Sequence, residues 1–120
     1  MPTQSRPLLF LVDSLKVLKR FSAAVQDEIG FELYNAQIGK TPENAKRMHG
    51  FDIPVWEVRV EDRSGTFRAA YVVHLQAAVY VLHIFQKKSK AGTATPLQDI
   101  NLIRQRLKLA CEIDSKEREK

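Results

Sequence analysis

Residues 55–87 constrain the fold of this chain more than any other stretch. They hold three runs, at about 55–61, 66–74 and 78–86, rich in β-branched and aromatic residues. Ser64-Gly65 suits a tight hairpin turn between the first two, and periodicity places a second turn at Gln76-Ala77. Side chains alternate between the two faces of a strand. In the first run Trp56, Val58 and Val60 oppose Glu57, Arg59 and Glu61. In the second, Phe67, Ala69, Tyr71 and Val73 oppose Arg68, Ala70, Val72 and His74. In the third, Tyr80, Leu82 and Ile84 oppose Val81, His83, Phe85 and Lys87. One face is therefore aromatic and aliphatic and suits a layer of helices. The other is expected to gather Glu57, Arg59, Arg68, His83 and Lys87, with Lys88 and Lys90 in the loop beyond.

The flanking segments supply the helices. PLLFLV (7–12) reads as a short buried strand. Leu15, Leu18 and Phe21 stand at helical spacing over about 13–21. Ser22 is suited to cap a second helix, whose apolar face is Val25, Ile29, Leu33 and Ala36 and which ends at Gly39. The polar segment GKTPENAKRMHGFDIP reads as a long connection, with a single helical turn opened by Thr41-Pro42. Thr95-Pro96-Leu97-Gln98 has the composition of a helix start, with Thr95 as cap and Pro96 at the first helical position. Ile100, Ile103, Leu107 and Ala110 form the buried stripe of that last helix. The chain thus divides into a single domain over 1–112 and a charged tail over 113–120, expected to be solvated or frayed because it has little to bury.

The 120 residues favour one core. No apolar run approaches the roughly 18 residues a membrane helix needs, and the N-terminus lacks the apolar stretch of a secretory signal. Cys111 is the single cysteine, so no internal disulfide forms, in keeping with a reducing compartment. Residues 40–90 hold nine Lys or Arg against five Asp or Glu and so carry most of the formal charge of +5. That concentration favours a polyanionic partner. Nucleic acid comes before lipid, because no basic amphipathic helix stands out.

The chemistry open to the basic face follows from its residue types. Guanidinium groups bind phosphate in bidentate fashion and stay charged. Arg59 and Arg68 on adjacent strands can hold one phosphodiester and stabilise the charge that builds as it is cleaved. His83 can exchange a proton near neutral pH. Glu57 can act as a base or hold Arg59 in place, and Phe85 offers a ring for an unpaired base. Set against this is the ordinary explanation. Exposed sheet faces carry charges for solubility, Glu57 opposite Arg68 would be a common cross-strand pair, and the Lys87–Lys90 cluster would be a solvated loop. His49, His74, His83 and Cys111 lack paired metal-ligand spacing, and neither a glycine-rich phosphate loop nor a nucleophile elbow occurs.

The segments VWEVR (55–59), GTFRAAYVV and VYVLHIFQKKSKAGTATPLQDINLIRQRL together resemble the HigB-like, phage-derived toxins of the RelE/ParE toxin–antitoxin superfamily, over about residues 8–110. The resemblance implies an α+β fold in which two N-terminal helices pack on a twisted antiparallel β-sheet, with a C-terminal helix. It implies ribosome-dependent, metal-independent cleavage of mRNA, by attack of a ribose 2′-hydroxyl on the adjacent phosphate, with no cofactor. The implied partners are the ribosome, mRNA and a cognate helix-turn-helix antitoxin that covers or compensates the basic face. DNA is reached only through that antitoxin, and the location is cytoplasmic. By position Arg59, Arg68 and Lys87 or Lys88 match the basic positions of such nucleases. Glu57 stands where RelE has a lysine, and no tyrosine lies between Lys88 and Thr95 to match the catalytic one, which leaves His83 as candidate for the proton exchange. Two alternatives stay open: a ParE-like DNA gyrase inhibitor without nuclease activity, and a non-catalytic binding module.

Overall fold

A computed structural model describes residues 5–40, 43–87 and 94–119. The chain runs β1 (Leu8–Phe10), α1 (Ser14–Leu18), α2 (Ala23–Gln37), β2 (Ala45–Met48), β3 (Val55–Asp62), β4 (Gly65–Val72), β5 (Val79–Lys87) and α3 (Leu97–Arg118). The strands form one sheet in the order β1-β5-β4-β3-β2. β1 lies parallel to β5, and the other pairs are antiparallel. The α+β class expected from the sequence is the one observed, although the parallel β1–β5 pair makes the sheet mixed rather than wholly antiparallel.

Helices cover both faces. Val25, Ile29 and Leu33 of α2 and Leu18 of α1 pack with Val58, Val60, Phe67, Tyr71, Val81 and Ile84. On the other face Ile103, Leu107 and Ala110 of α3 pack with Val55, Val72, Tyr80 and Leu82. Each fully buried aliphatic side chain contributes about 1.5–3 kcal/mol through burial, so the two apolar stripes are enough to fix both helical layers. Ser22 caps α2 as expected, its hydroxyl accepting from the Val25 N–H at 3.3 Å. Gly39 follows the helix at φ +82°, which only glycine adopts without strain.

Four expectations need correction. The polar connection contains β2, an edge strand whose exposed Lys46 and Arg47 blunted its β signal. The alternation along β5 breaks, because Ala70 pairs with His83 but Tyr71 with Val81. Leu82 is the extra residue of a bulge. The expected set of Tyr80, Leu82 and Ile84 therefore splits: Tyr80 and Leu82 lie on the α3 face with His83, while Ile84 and Val81 lie on the α2 face. Thr95 does not cap α3: Pro96 is the capping residue and, among the described residues, no side-chain cap hydrogen bond forms. Finally, α3 continues to Arg118 rather than fraying after residue 112. Asp114, only 1% exposed, accepts from the Gln76 and Ala77 N–H groups (3.2 and 2.7 Å) and from the Tyr80 hydroxyl (3.1 Å). It holds the β4–β5 connection together with Arg6, whose guanidinium donates to the carbonyls of Val73, Leu75 and Ala78.

Candidate functional site: a charged network on the sheet

Arg59 and Arg68 stand directly opposite one another in the β3–β4 register, so both project from the face that α3 covers. Glu57, two residues before Arg59, lies between them electrostatically. Its Oε1 accepts from Arg59 Nε at 2.8 Å and stands 3.8 Å from an Arg68 terminal nitrogen. Thr95 completes the network: its hydroxyl donates to the other Glu57 oxygen at 2.8 Å and accepts from Arg68 at 3.2 Å. One carboxylate thus compensates two adjacent guanidinium groups, whose mutual repulsion would otherwise be costly in the interior.

Exposure separates the four residues. Glu57 is 1% exposed and Arg68 2%, whereas the Arg59 side chain is 24% exposed. The expected open row of cations is therefore a layered one. Arg68 and Glu57 lie inside, because Thr95 and the start of α3 cover them, and Arg59 reaches the surface. Burial lowers the Arg68 pKa from its ordinary value, Glu57 opposes that shift, and Arg59 adds to it. Arg68 Nε is buried and makes no hydrogen bond among the described residues.

His83 belongs to a second chain of contacts. Its Nδ1 lies 2.9 Å from an Arg106 nitrogen and its Nε2 lies 2.8 Å from Asp99. A guanidinium can only donate, so Nδ1 is the acceptor and the ring proton sits on Nε2, pointed at Asp99. Arg106 also donates to the Leu82 carbonyl at 3.2 Å, at the bulge, and pairs with Asp13 at 3.1 Å. Phe85 stacks on His83, with ring centroids 4.8 Å apart and 17° between planes. Both rings are buried, with 6% and 8% exposure. The expectation that Phe85 offers a free ring, and Glu57 a direct contact, to an RNA is thus not met in this conformation: helix α3 covers the face that alternation left open.

Lys87 lies at the rim and donates to the Ala94 carbonyl at 2.9 Å. Lys88 and Lys90 lie outside the described residues. Thr95, Asp99 and Arg106 were not legible as site residues. Each is brought to the network by the path of α3 back across the sheet, and none carries a local signal of it beyond the cap motif that Thr95 fails to use. Among the described residues, no group of three or more His, Cys, Asp or Glu is placed to hold a metal ion, and no helix is long and apolar enough to cross a membrane.

The five-stranded sheet with helices on both faces is consistent with a RelE-like fold. Residues 16–108 match the family described as "Phage derived protein Gp49-like (DUF891)". The chain belongs to this family, a RelE-like toxin family of toxin–antitoxin systems, and the membership implies a cognate antitoxin. The narrower HigB-like assignment made from sequence remains a resemblance. No curated protein matches the chain.

Proposed function

We propose that this chain is an endoribonuclease toxin that cleaves messenger RNA on the ribosome and so inhibits translation. One observation carries the reading in a chain of this family: a partly exposed guanidinium, Arg59, fixed at Nε by a buried carboxylate. Its two terminal nitrogens make no hydrogen bond among the described residues. Such a group is oriented in advance, so it stabilises developing negative charge without reorganising. In the proposed reaction the ribose 2′-oxygen attacks the adjacent phosphorus, its proton is removed, and the 5′-oxygen of the next nucleotide leaves with a proton. Arg59 and Lys87 hold the phosphoryl oxygens, and Arg68 adds positive potential from behind. His83 exchanges the proton through Nε2, which must first part from Asp99.

The test is expression without the antitoxin, with cellular RNA ends mapped. Wild type should give 2′,3′-cyclic phosphate or 3′-phosphate ends within messages on ribosomes. Arg59→Ala should slow cleavage about a hundredfold or more, the usual loss for one transition-state donor. Intact messages and normal growth with wild type would reject the proposal.

The burial of His83 and Phe85 favours a second reading, a toxin that binds its target without cutting RNA, in the manner of a gyrase inhibitor. DNA breaks and an SOS response, with messages uncut, would select it.

A further inference from the structure

The edge strand β2 opens a second feature. It pairs with β3 so that Lys46 stands opposite Glu57, which places Lys46 on the same face as Arg59. Lys46 and His49, both exposed, line a cleft of about 390 Å³ with Arg59. Its apolar walls come from Met48, Phe51 and Ile100. Glu57 is the sole carboxylate among the lining residues, and Arg59, Arg68 and Thr95 already engage it. The cleft therefore presents more cationic than anionic side chains beside apolar surface.

The wall is also held in place. Arg104 donates to the Gly50 carbonyl at 3.1 Å, and its guanidinium lies 4.8 Å from the Phe51 ring centroid. That contact is a cation–π pair. A fixed aromatic next to two cationic or titratable side chains suits a nucleotide, whose base needs apolar surface and whose phosphate needs donors. The volume lies in the range of small-ligand sites.

We infer that this cleft is a subsite for the single-stranded RNA nucleotide flanking the cleaved linkage, with Lys46 and His49 on its phosphate and Phe51 and Ile100 against its base. The inference rests on the endoribonuclease reading and gives the strand a direction across the protein, from Lys87 past Arg59 to the β2 edge. Lys46 lies outside the Glu57 network, so its part is to bind, and Arg59 joins the two sites.

The probe is a ten-nucleotide RNA carrying 2′-O-methyl groups throughout, which cannot be cleaved by 2′-oxygen attack. Its affinity is measured against salt for wild type, for Lys46→Gln/His49→Gln, and for Lys16→Gln/Lys19→Gln, a surface control on α1 and the turn that follows it. Thermal melting confirms that each variant folds. The β2 variant should bind about tenfold more weakly, with a log–log salt slope shallower by about 0.7 for each phosphate it no longer neutralises. The control should stay within about twofold of wild type. Equal effects of the two variants, or no binding by wild type, would overturn the subsite. Binding by wild type that weakens in the β2 variant, without any cleavage of natural messages in cells, would instead keep the cleft as an RNA-binding site and remove both the nuclease reading and the cleft's place beside a cleaved linkage.

Discussion

Thr95 shows how a residue can follow one local rule in sequence and another in space. Its position before Pro96 marks a helix cap, and a cap of this type stabilises a helix by about 0.5–2 kcal/mol. The folded chain forgoes that gain and commits the hydroxyl to Glu57 and Arg68. Departures from local consistency cluster at functional sites, and this one binds a carboxylate and a guanidinium through a group that both accepts and donates. Thr95→Val keeps the shape and removes the hydroxyl. It should leave Arg68 short of a partner, lower stability by about 1–3 kcal/mol, and reduce RNA cleavage. Thr95→Ser should restore both, as read by thermal melting and by end mapping. Had Thr95 served as a cap, the serine would help equally, but the valine would not alter the Arg59 Nε–H signal in NMR spectra. Loss of the Glu57 orientation should alter it.

The elements were legible to different depths. α2, β3 and β4 carry complete signals: a capping serine, a terminating glycine and clean alternation. β2 carried none, because an edge strand of four residues with two cations reads as a polar loop. The bulge in β5 was also invisible, since an inserted residue changes the pairing without changing the composition. The last third of α3 looked like a tail because its sequence is charged, yet the helix there holds the β4–β5 connection. Burial would raise the Asp114 carboxyl, but the Ala77 and Gln76 N–H groups, the Tyr80 hydroxyl and Arg118 outweigh it and hold it below the ordinary value. Burial first, and Asp114 second, push the Tyr80 hydroxyl up to about 12. A carboxylate whose folded pKa is depressed adds stability above its unfolded value and loses it as pH falls through the folded one. The Asp114 contribution is therefore full above about pH 4 and fades with further acidification. Asp114→Asn should cost about 1.5–3 kcal/mol at neutral pH, and the gap from wild type should close in the acid, as followed by denaturant unfolding at several pH values.

Across the protein as a body, charge sets the encounter and packing sets the site. Lys46, Arg59 and Lys87 give one side of the protein a positive field, which speeds association with a polyanion or an acidic partner. If the antitoxin covers this side, complex formation should slow as salt rises, and Arg59→Ala with Lys46→Gln should cut the association rate far more than they raise the dissociation rate. Stopped-flow mixing at several salt concentrations reads this directly, and a rate indifferent to salt would place the antitoxin elsewhere. Alternation and capping are local properties of the chain, so the order of residues alone was enough to set the central strands, the principal helices and the side of the sheet that carries Arg59 and Arg68. Which of those cations reach solvent was settled only by the folded arrangement. That outcome depends on where α3 crosses the sheet and on the strand that β2 adds at its edge, and contacts between residues far apart in sequence leave no periodicity to read.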